Sequence, residues 1–512
     1  MTTPTLDDQS PADLRSEIRR AAEILERVAA EPELLVHLPE AERRRLLEAA
    51  GRAARPTKDE RRRRAKGFRR KDADESRARD HAVLDAAELR KQKALSSFLP
   101  SAIHALIGIQ APPLELREPN GPSARHADDG HEERLESPRA CYVCKRAYDR
   151  VHPFYHSMCG PCAELNFDKR TQTASMVGKV ALVTGARIKI GYETTLKLLR
   201  AGARVLATTR FPVDAAQRFA AEADAASWQD RLEVHGLDLR HTPSVERFAI
   251  DLAQRLERLD VLVNNAAQTV RRPAEFYAHL LGAERVSAAA LPSAVAKLLG
   301  SRGGERALAM HDEPHVPTLE TLRWAGEAPQ PAHLFPEGQL DGDAQQIDLR
   351  GVNSWRLGLA DVPTPELLEV HLVNAIAPFV LTSRLRPLMD REPTFDRHVI
   401  HVSAMEASFS RRKKTDRHPH TNMAKAALNM MTRTSAADYA ASGIFMNSVD
   451  TGWVTDEDPL HHAARKQRVH DFHAPLDTID GAARVLDPLF VGLRTGEHPY
   501  GLFLKDYRPI DW

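Results

Sequence analysis

The chain has 512 residues, of which 42% are hydrophobic, and its 72 basic and 71 acidic side chains nearly cancel. This length exceeds that of one ordinary domain, so we expect two or three folded units, each with a real core. The near-zero net charge excludes any inference from overall charge to nucleic-acid or membrane binding. The polar start, Met1–Arg15, lacks the apolar region of a secretion signal, and no apolar run approaches the roughly 20 residues that span a bilayer. We therefore expect a cytoplasmic protein without a membrane segment.

Residues 1–111 are predicted to form a helical, partly basic region. Apolar side chains recur at helical spacing from Leu14 to Val28, and Pro39 ends this pattern before a second helix. A basic run at 61–71 is interpreted as a solvated helix face, with a nucleic-acid or acidic-protein contact as the less favoured alternative. Residues 112–138 contain prolines, glycines and charged residues without periodicity, which predicts a linker.

All four cysteines follow in one short stretch, as two Cys-x-x-Cys pairs. Each pair can present two thiolates on one tight turn, and two such turns complete a tetrahedral zinc shell. In an intracellular chain this pattern favours a metal site over disulfides. We predict a zinc module at 139–170 that resembles treble-clef or ribbon fingers, in which a hairpin separates the pairs. The predicted ligands are Cys141, Cys144, Cys159 and Cys162.

Four thiolates leave no open coordination position, so the predicted Zn²⁺ is structural. His152 and His156 are alternative ligands, although we expect both to lie in the hairpin. The module either contacts a protein partner, together with the N-terminal region, or braces the domain that follows.

From 176 to 512 the pattern changes to alternating strands and helices, which predicts a doubly wound parallel α/β sheet. The apolar strand Lys179–Thr184 runs into the turn Gly185–Gly191 and then into a helix that ends at Ala201–Gly202. A glycine turn in this position lets backbone amides and the helix N-terminus meet a pyrophosphate. The sequence therefore predicts a dinucleotide site on a Rossmann domain.

These segments resemble the short-chain dehydrogenase/reductase superfamily over about 340 residues. The family motif TGxxxGxG is matched by Thr184, Gly185 and Gly191, with Lys189 where the middle glycine belongs. The other matching segments are Asp238-Leu239, Asn264–Ala267, Asn374-Ala375 and Val449–Gly452. The resemblance implies a cofactor site formed by Thr184, Gly185, Arg187, Lys189, Ile190, Gly191, Arg210, Asp238, Leu239, Asn265, Ala266, Ala267, Lys425 and Gly452.

The second strand indicates which cofactor is used. It ends in Thr208, Thr209 and Arg210. A carboxylate there would hold the ribose 2′-hydroxyl of NAD, whereas an arginine suits the 2′-phosphate of NADP. We therefore expect NADP rather than NAD.

The resemblance implies catalysis by a serine, a tyrosine, a lysine and an asparagine. Lys425 and Asn374 match the lysine and the asparagine, but Thr421 stands where the tyrosine belongs. Because a threonine hydroxyl is a very weak acid, His420 and His418, whose imidazoles titrate near neutral pH, are the candidate proton donors. A histidine beside such a helix more often has a purely structural role, and this alternative stays open.

The serine position has two candidate assignments. Matching the strand places Ala404 there, with Ser403 one residue away, whereas spacing alone selects Ser408. We favour the strand match, which leaves Ser403 as the nearest hydroxyl.

A long insertion, at about 273–362, leaves the carboxyl edge of the fourth strand beside the cofactor crevice. It is placed to act as a lid or partner surface, or it forms a self-packed subdomain. Asp348, Arg350 and Trp355 are its candidates for reaching the site.

We therefore expect an atypical NADP-dependent oxidoreductase that transfers hydride to or from a carbonyl or alcohol substrate with a non-standard proton donor. The alternative is a catalytically degenerate NADP(H)-binding sensor or scaffold that uses the zinc module and the basic helices to bind a partner. The substrate is a small molecule of unknown identity, and a homodimer is a family expectation.

Overall fold

The computed structural model describes residues 11–98, 134–300, 317–323, 327–392, 394–411 and 414–512. It divides into two units, Met1–His81 and Ala82–Trp512. The helices that begin the chain are α1 (Pro11–Ala30), α2 (Glu40–Ala54) and α3 (Lys58–Asp85). The prediction of a helical N-terminal region is confirmed, and the basic run at 61–71 lies on α3 with its side chains exposed. Most of the predicted linker, 112–133, lies outside the described residues.

The second unit opens with α4 (Glu88–Phe98) and a small four-cysteine module, residues 134–171. The module consists of β1 (Arg134–Ala140), β2 (Ala147–Arg150), which pairs with β1 in antiparallel fashion, and α5 (Gly160–Thr171). Its first cysteine pair lies in the turn between the two strands, whereas we expected the hairpin to follow that pair. The module also begins at Arg134, inside the segment predicted as linker.

An eight-stranded sheet organises the rest of the unit. Its strands are β3 (Val180–Thr184), β4 (Arg204–Thr209), β5 (Leu232–Gly236), β6 (Val261–Asn264), β7 (Arg397–Ser403), β8 (Ile444–Asp450), β9 (Phe503–Lys505) and β10 (Arg508–Ile510). Their spatial order is β5-β4-β3-β6-β7-β8-β9-β10, and only the β9–β10 pair is antiparallel. The direction of winding reverses between β3 and β6, so the predicted Rossmann-type sheet is confirmed.

Helices cover both faces of the sheet, as a buried parallel sheet requires. They are α6 (Lys189–Arg200), α7 (Pro212–Ala220), α8 (Thr242–Arg255), α9 (Ala278–Glu284), α10 (Ser293–Leu298), α11 (Leu319–Leu322), α12 (Thr364–His371), α13 (Ala377–Met389), α14 (Pro419–Ala441), α15 (Leu460–His470) and α16 (Thr478–Thr495). One core cluster joins α6 and α16 to the sheet, and a second joins α8 and α13 to its other face.

Within the part of the chain that is described, one continuous helix, Thr364–Met389, is long and apolar enough to cross a membrane by length and composition alone. Half of its most apolar window is buried inside the domain. Leu381, Leu385 and Leu388 belong to the second core cluster. The apolar character of this helix is therefore explained by its packing on the sheet.

The described parts of the insertion pack on the domain. Leu298 joins the first core cluster, and Leu299 forms a bridge with Val234 of β5. The carboxylate of Glu284 accepts hydrogen bonds from the backbone N–H groups of Val213 and Asp214, at 3.1 and 3.0 Å. It thereby satisfies free donors at the start of α7, where a negative charge is also favoured by the helix dipole.

Candidate active site

A large cleft opens above the carboxyl ends of the central strands. Its volume is about 1520 Å³, which exceeds the usual 300–1,000 Å³ of a single drug-sized ligand site and leaves room for a cofactor and a substrate together. The glycine turn after β3, the ends of β4, β7 and β8, the insertion and the four-cysteine module all contribute to its wall. Its position at the point where the strand order reverses is where doubly wound sheets bind ligands.

The glycine turn is held tightly between β3 and the segment after β6. The Thr184 hydroxyl accepts the backbone N–H groups of Asn265 and Ala266, both at 3.1 Å. The Asn265 amide donates to the carbonyls of Thr184 and Gly185, at 3.0 and 3.1 Å. Thr184 does not line the cleft, whereas the other predicted cofactor residues do. Its role in the structure is to shape the turn.

Gly191 is the position in this turn that tolerates a side chain least. A Cβ there would lie 2.2 Å from the Gly185 carbonyl oxygen and 2.4 Å from the Asn265 amide nitrogen. We expect Gly191→Ala to lower the free energy of unfolding by about 1–3 kcal/mol, as overpacking does, and to weaken dinucleotide binding at least about tenfold. Thermal denaturation and a dinucleotide titration measure both effects.

Gly282 provides the matched control, because a Cβ there would meet nothing within 4 Å. It lies in a helix, so Gly282→Ala is expected to leave dinucleotide binding unchanged and to stabilise the protein by about 0.5–1 kcal/mol. Equal losses of binding in both variants would contradict the proposed crowding at Gly191.

Lys189 occupies the middle glycine position in a left-handed conformation, with φ of 54°. This conformation costs a residue with a Cβ about 1–2 kcal/mol, which explains why glycine is expected there. Its ammonium lies 3.4 Å from Glu457, in the segment after β8, and this carboxylate raises the pKa of Lys189 against the opposing effect of burial. The lysine thus links the glycine turn to a loop on the far side of the cleft.

Arg210 follows β4 at one end of the cleft. Its guanidinium donates to the Tyr277 hydroxyl at 2.8 Å and stacks over that ring at 4.6 Å, so the insertion holds it in place. Arg187 is more enclosed, because it pairs with Asp214 at 2.9 Å and with Gln345 at 3.1 Å. Arg210 is therefore the better placed of the two to meet a bound phosphate.

Asp238 and Leu239 line the same end of the cleft. The Asp238 carboxylate is paired with Arg240 at 2.6 Å, and this pairing lowers its pKa to about 2 against the opposing effect of burial. Asp238 is thus ionised, and its charge is already neutralised by a neighbour.

Lys425 lies at the opposite end, over β7. Its ammonium donates to the Val402 carbonyl at 2.6 Å, and burial lowers its pKa to about 8. Ser403 and Ala404 line the cleft beside it, and the buried Ser403 hydroxyl has no hydrogen-bond partner within the described ranges. Ser408 is directed elsewhere, since its hydroxyl lies 2.8 Å from that of Ser410 and does not line the cleft.

His418 stands immediately before α14, on the same side as Lys425. Its ring stacks on Trp355 of the insertion, with 3.9 Å between centroids and 11° between planes. The residue is left-handed, with φ of 41°, and its backbone N–H donates to the Leu357 carbonyl at 2.8 Å. Such strain persists only where surrounding contacts enforce it, and it is concentrated at functional sites. Burial lowers the pKa of His418, opposed by the nearby Glu406.

Three of the predicted catalytic residues do not line the cleft. His420 is buried with Nε2 3.2 Å from Glu366, so the geometry does not support His420 as the proton donor. Thr421 is buried, and its hydroxyl has no partner among the residues that the structure describes. Asn374 lies in a π-helical turn, where its amide bonds both backbone groups of Gln268, at 2.7 and 3.1 Å. It therefore shapes the wall of the cleft.

Two of the three insertion candidates reach the site. Trp355 and Asp348 line the cleft, and Asp348 also forms ion pairs with Arg272 and Arg350, the latter at 2.7 Å. Arg350 does not line the cleft. The insertion is thus part of the cleft wall.

The four cysteines of the module lie together. Their sulfur atoms are all within 4.8 Å of one another, and those of Cys144 and Cys159 are 3.6 Å apart. A tetrahedral shell with Zn–S bonds of about 2.3 Å places sulfurs roughly 3.8 Å apart, so this cluster fits such an ion. His152 instead accepts the backbone N–H groups of Phe154 and Tyr155, at 3.0 and 3.3 Å. His152 and His156 lie after β2, outside the hairpin.

Among the cleft residues that sequence reasoning missed are Tyr142 of the module, Glu457 and Asn422. Asn422 carries a usable signal, because it stands between His418 and Lys425 at helical spacing. Tyr142 and Glu457 carry none, since both reach the cleft through contacts between segments far apart in the chain.

Two family models and several known proteins match parts of this chain. Residues 179–291 match the family model described as short chain dehydrogenase, and residues 351–477 match the one described as Enoyl-(Acyl carrier protein) reductase. The chain is 31% identical over 366 residues to the uncharacterized protein R665 of Acanthamoeba polyphaga mimivirus, a match that covers 69% of this chain and 72% of the viral protein.

Retinol dehydrogenase 11 of Mus musculus is 40% identical over 96 residues, which cover 19% of this chain and 30% of that enzyme. Among solved structures, an NADPH-bound carbonyl reductase from chicken fatty liver is 17% identical with a TM-score of 0.40, and the match covers 66% of this chain and 100% of that one.

Proposed function

Because the chain belongs to the short-chain dehydrogenase/reductase superfamily, we propose that it is an atypical NADP-dependent oxidoreductase whose proton-transferring group is His418. The observation that carries this proposal is the row formed by His418, Asn422 and Lys425. Asn422 and Lys425 are three positions apart on α14 and so share one face, and His418 immediately precedes that helix. All three line the cleft.

The cleft also suits a dinucleotide. Basic side chains outnumber acidic ones along its wall, and the glycine turn leads into the N-terminus of α6. A helix N-terminus and a basic wall both favour bound phosphates. The buried Ser403 hydroxyl is without a hydrogen-bond partner among the described residues, so it is available to a ligand, and His418 lines the cleft nearby. When bound, the nicotinamide accepts or donates the hydride.

The chemistry assigned to the chain is proton transfer at the substrate oxygen. Because burial lowers the pKa of His418 below its ordinary value of 6.5, the imidazole is neutral at physiological pH. A neutral imidazole accepts a proton, so His418 serves alcohol oxidation as the general base and takes the hydroxyl proton as the hydride leaves the carbinol carbon. Lys425 keeps a cation beside this end of the cleft, since its pKa of about 8 leaves it mostly protonated at neutral pH.

NADP is favoured because Arg210, and no carboxylate, follows β4. We expect Arg210→Ala to weaken NADPH binding about 10- to 100-fold, the usual cost of losing a charged hydrogen-bonding group, and to leave NADH binding unchanged. Titration of the purified variant with each dinucleotide measures both affinities.

Arg204→Ala is the matched control, because Arg204 begins the same strand and is exposed at its other end, where it pairs with Glu233. Its NADPH affinity should equal that of the unaltered protein. If Arg210→Ala weakened NADH and NADPH equally, recognition of the 2′-phosphate by Arg210 would be refuted.

We also propose that the four cysteines hold one structural Zn²⁺. The ion would be bound by Cys141, Cys144, Cys159 and Cys162, with no coordination position left for a substrate. Its contribution would be to fix the first turn of α5 to the β1–β2 turn.

A second candidate function is an NADP(H)-binding sensor or scaffold without turnover. It is favoured by the two altered positions, since Ala404 lacks a hydroxyl and Thr421 does not line the cleft. The two functions make opposite predictions for turnover when dinucleotide binding is intact.

A further inference from the structure

We infer that Tyr142 of the four-cysteine module is a positioning residue of the cleft, which fixes the Gly452-Trp453 segment beside the nicotinamide half of the cofactor. This inference rests on the proposed function, because it concerns how the same cleft holds its dinucleotide. It assigns the module a role inside the site that is separate from partner binding.

The contact itself is direct. The Tyr142 hydroxyl accepts the backbone N–H of Trp453 at 2.9 Å, and Tyr142 lines the cleft. Gly452 has φ of 77°, and a Cβ there would lie 3.0 Å from the Tyr142 hydroxyl and 2.5 Å from Leu476. The tyrosine therefore closes over a stretch of backbone whose conformation and lack of space both require glycine.

The end of β8, which precedes the Gly452-Trp453 segment, is also held by contacts near Tyr142. Asp450, the last residue of β8, accepts the N–H of Gly452 at 3.3 Å and pairs with Lys505 of β9 at 2.8 Å. The Lys505 ammonium lies 5.7 Å from the centre of the Tyr142 ring. Tyr142 thus belongs to a set of contacts that fixes the segment from both sides.

The position of Tyr142 is fixed because ion pairs and hydrogen bonds join the module to the start of α16. Arg170 pairs with Asp477 at 2.7 Å and with Asp480 at 3.0 Å, and both acids are mostly buried. The Tyr155 hydroxyl donates to Asp480 at 2.5 Å. Fixed partners of this kind turn the module into a rigid part of the cleft wall.

An apolar cluster completes the attachment. Module residues pack together with Val454, which directly follows the Gly452-Trp453 segment, and with Leu476, which follows α15. They also pack against Ile190 of the glycine turn. The module therefore contacts both the glycine turn and the segment after β8, and the cofactor would lie between these two segments.

The half of the cofactor that is affected follows from the sheet. In a doubly wound sheet the adenosine ribose meets the residue after the second strand, here Arg210 after β4, and the dinucleotide crosses the point where the strand order reverses. The nicotinamide half of a bound cofactor would then lie over β7 and β8, where Lys425 and Gly452 line the cleft. Loss of the Tyr142 contact should affect that half alone.

The test compares two ligands of the full-length protein, NADPH and 2′-phospho-ADP-ribose, which lacks the nicotinamide. We expect Tyr142→Phe, which removes the acceptor of the Trp453 N–H, to weaken NADPH binding about tenfold, and Tyr142→Ala to weaken it further. Binding of 2′-phospho-ADP-ribose should stay within about twofold of the unaltered protein for both variants. Zinc content is measured in every sample.

Tyr439→Phe is the matched control, because it also removes a buried tyrosine hydrogen bond, here to the Thr382 carbonyl at 3.1 Å, but Tyr439 belongs neither to the module nor to the wall of the cleft. It should leave the ratio of the two affinities unchanged, even where it lowers the melting temperature. Equal weakening of both ligands by Tyr142→Phe, or weakening of neither, would overturn the inference. Failure of the unaltered protein to bind either ligand would instead overturn the proposed function.

Discussion

Replacement of His418 by glutamine is expected to lower the rate of alcohol oxidation by about 100- to 10,000-fold, the usual contribution of a general acid or base. Glutamine keeps a planar polar side chain that can lie against Trp355 but cannot accept the substrate proton. Because the proposal assigns His418 to the substrate oxygen and not to the cofactor, NADP⁺ affinity should be unchanged. Steady-state rates and a separate dinucleotide titration distinguish the two quantities.

His420→Gln is the matched control for this variant. His420 is two residues away, in the first turn of α14, is also buried, and faces Glu366 rather than the cleft. Its rate should stay close to that of the unaltered protein. Similar losses in the two variants would point to damage of α14 and would contradict a catalytic role for His418.

The pH dependence of the oxidation rate is an independent test of His418 as the general base. A base acts in its deprotonated form, and burial lowers the pKa of His418 below 6.5. The oxidation rate should therefore rise with pH up to that lowered pKa and be level around neutrality. In His418→Gln the residual rate should lose this rise.

Removal of one cysteine of the proposed zinc site is expected to reduce zinc content, stability and NADPH affinity together. Cys159 is the residue before α5, and Cys159→Ser takes one thiolate from the proposed Zn²⁺ shell. Structural zinc contributes about 10–16 kcal/mol of binding free energy in small zinc fingers, and folding of the module depends on that energy. We expect loss of bound zinc, a lower melting temperature, and weaker NADPH binding through the loss of the Tyr142 contact.

Metal analysis, thermal denaturation and NADPH titration measure these three effects. His152→Gln is the control, since His152 lies in the module but outside the sulfur cluster. It should retain one zinc per chain. Full zinc occupancy in Cys159→Ser, or a zinc-free protein of unchanged stability, would refute the assignment of a structural site.

The parts of the fold that could be predicted are those with a local signal. The strand Val180–Thr184, the turn with Gly185 and Gly191 and the helix after it form one continuous stretch, so periodicity and turn chemistry sufficed. The two cysteine pairs could also be predicted, because each pair lies within a single turn of the chain. The hairpin was placed wrongly because spacing between cysteines does not reveal which strands pair around them.

The choice between His418 and His420 could not be made from the sequence. His420 lies in the first turn of α14, whereas His418 precedes the helix in a left-handed conformation, so helical spacing does not say which of the two faces the cleft. The position of His418 is fixed by its contacts with Trp355 and Leu357, about sixty residues earlier in the chain. No local pattern encodes that contact.

The role of Tyr142 could not be predicted either, because it also depends on a contact between segments far apart in the chain. Its partner Trp453 is 311 residues away, and the bonds that hold the module to α16 join segments equally far apart. Lys189 is an intermediate case. The family motif identified it as a departure from glycine, but only the structure shows that its side chain reaches Glu457.

Turnover by the purified protein is the direct test of the proposed NADP-dependent oxidoreductase activity. The full-length, zinc-containing protein is mixed with NADP⁺ and a panel of primary and secondary alcohols, and with NADPH and the matching carbonyl compounds, while reduced nicotinamide is followed by absorbance. We expect turnover that is faster with NADP(H) than with NAD(H) and that is lost in His418→Gln but kept in His420→Gln. Tight NADPH binding without turnover of any compound, or turnover that His418→Gln leaves unchanged, would contradict it.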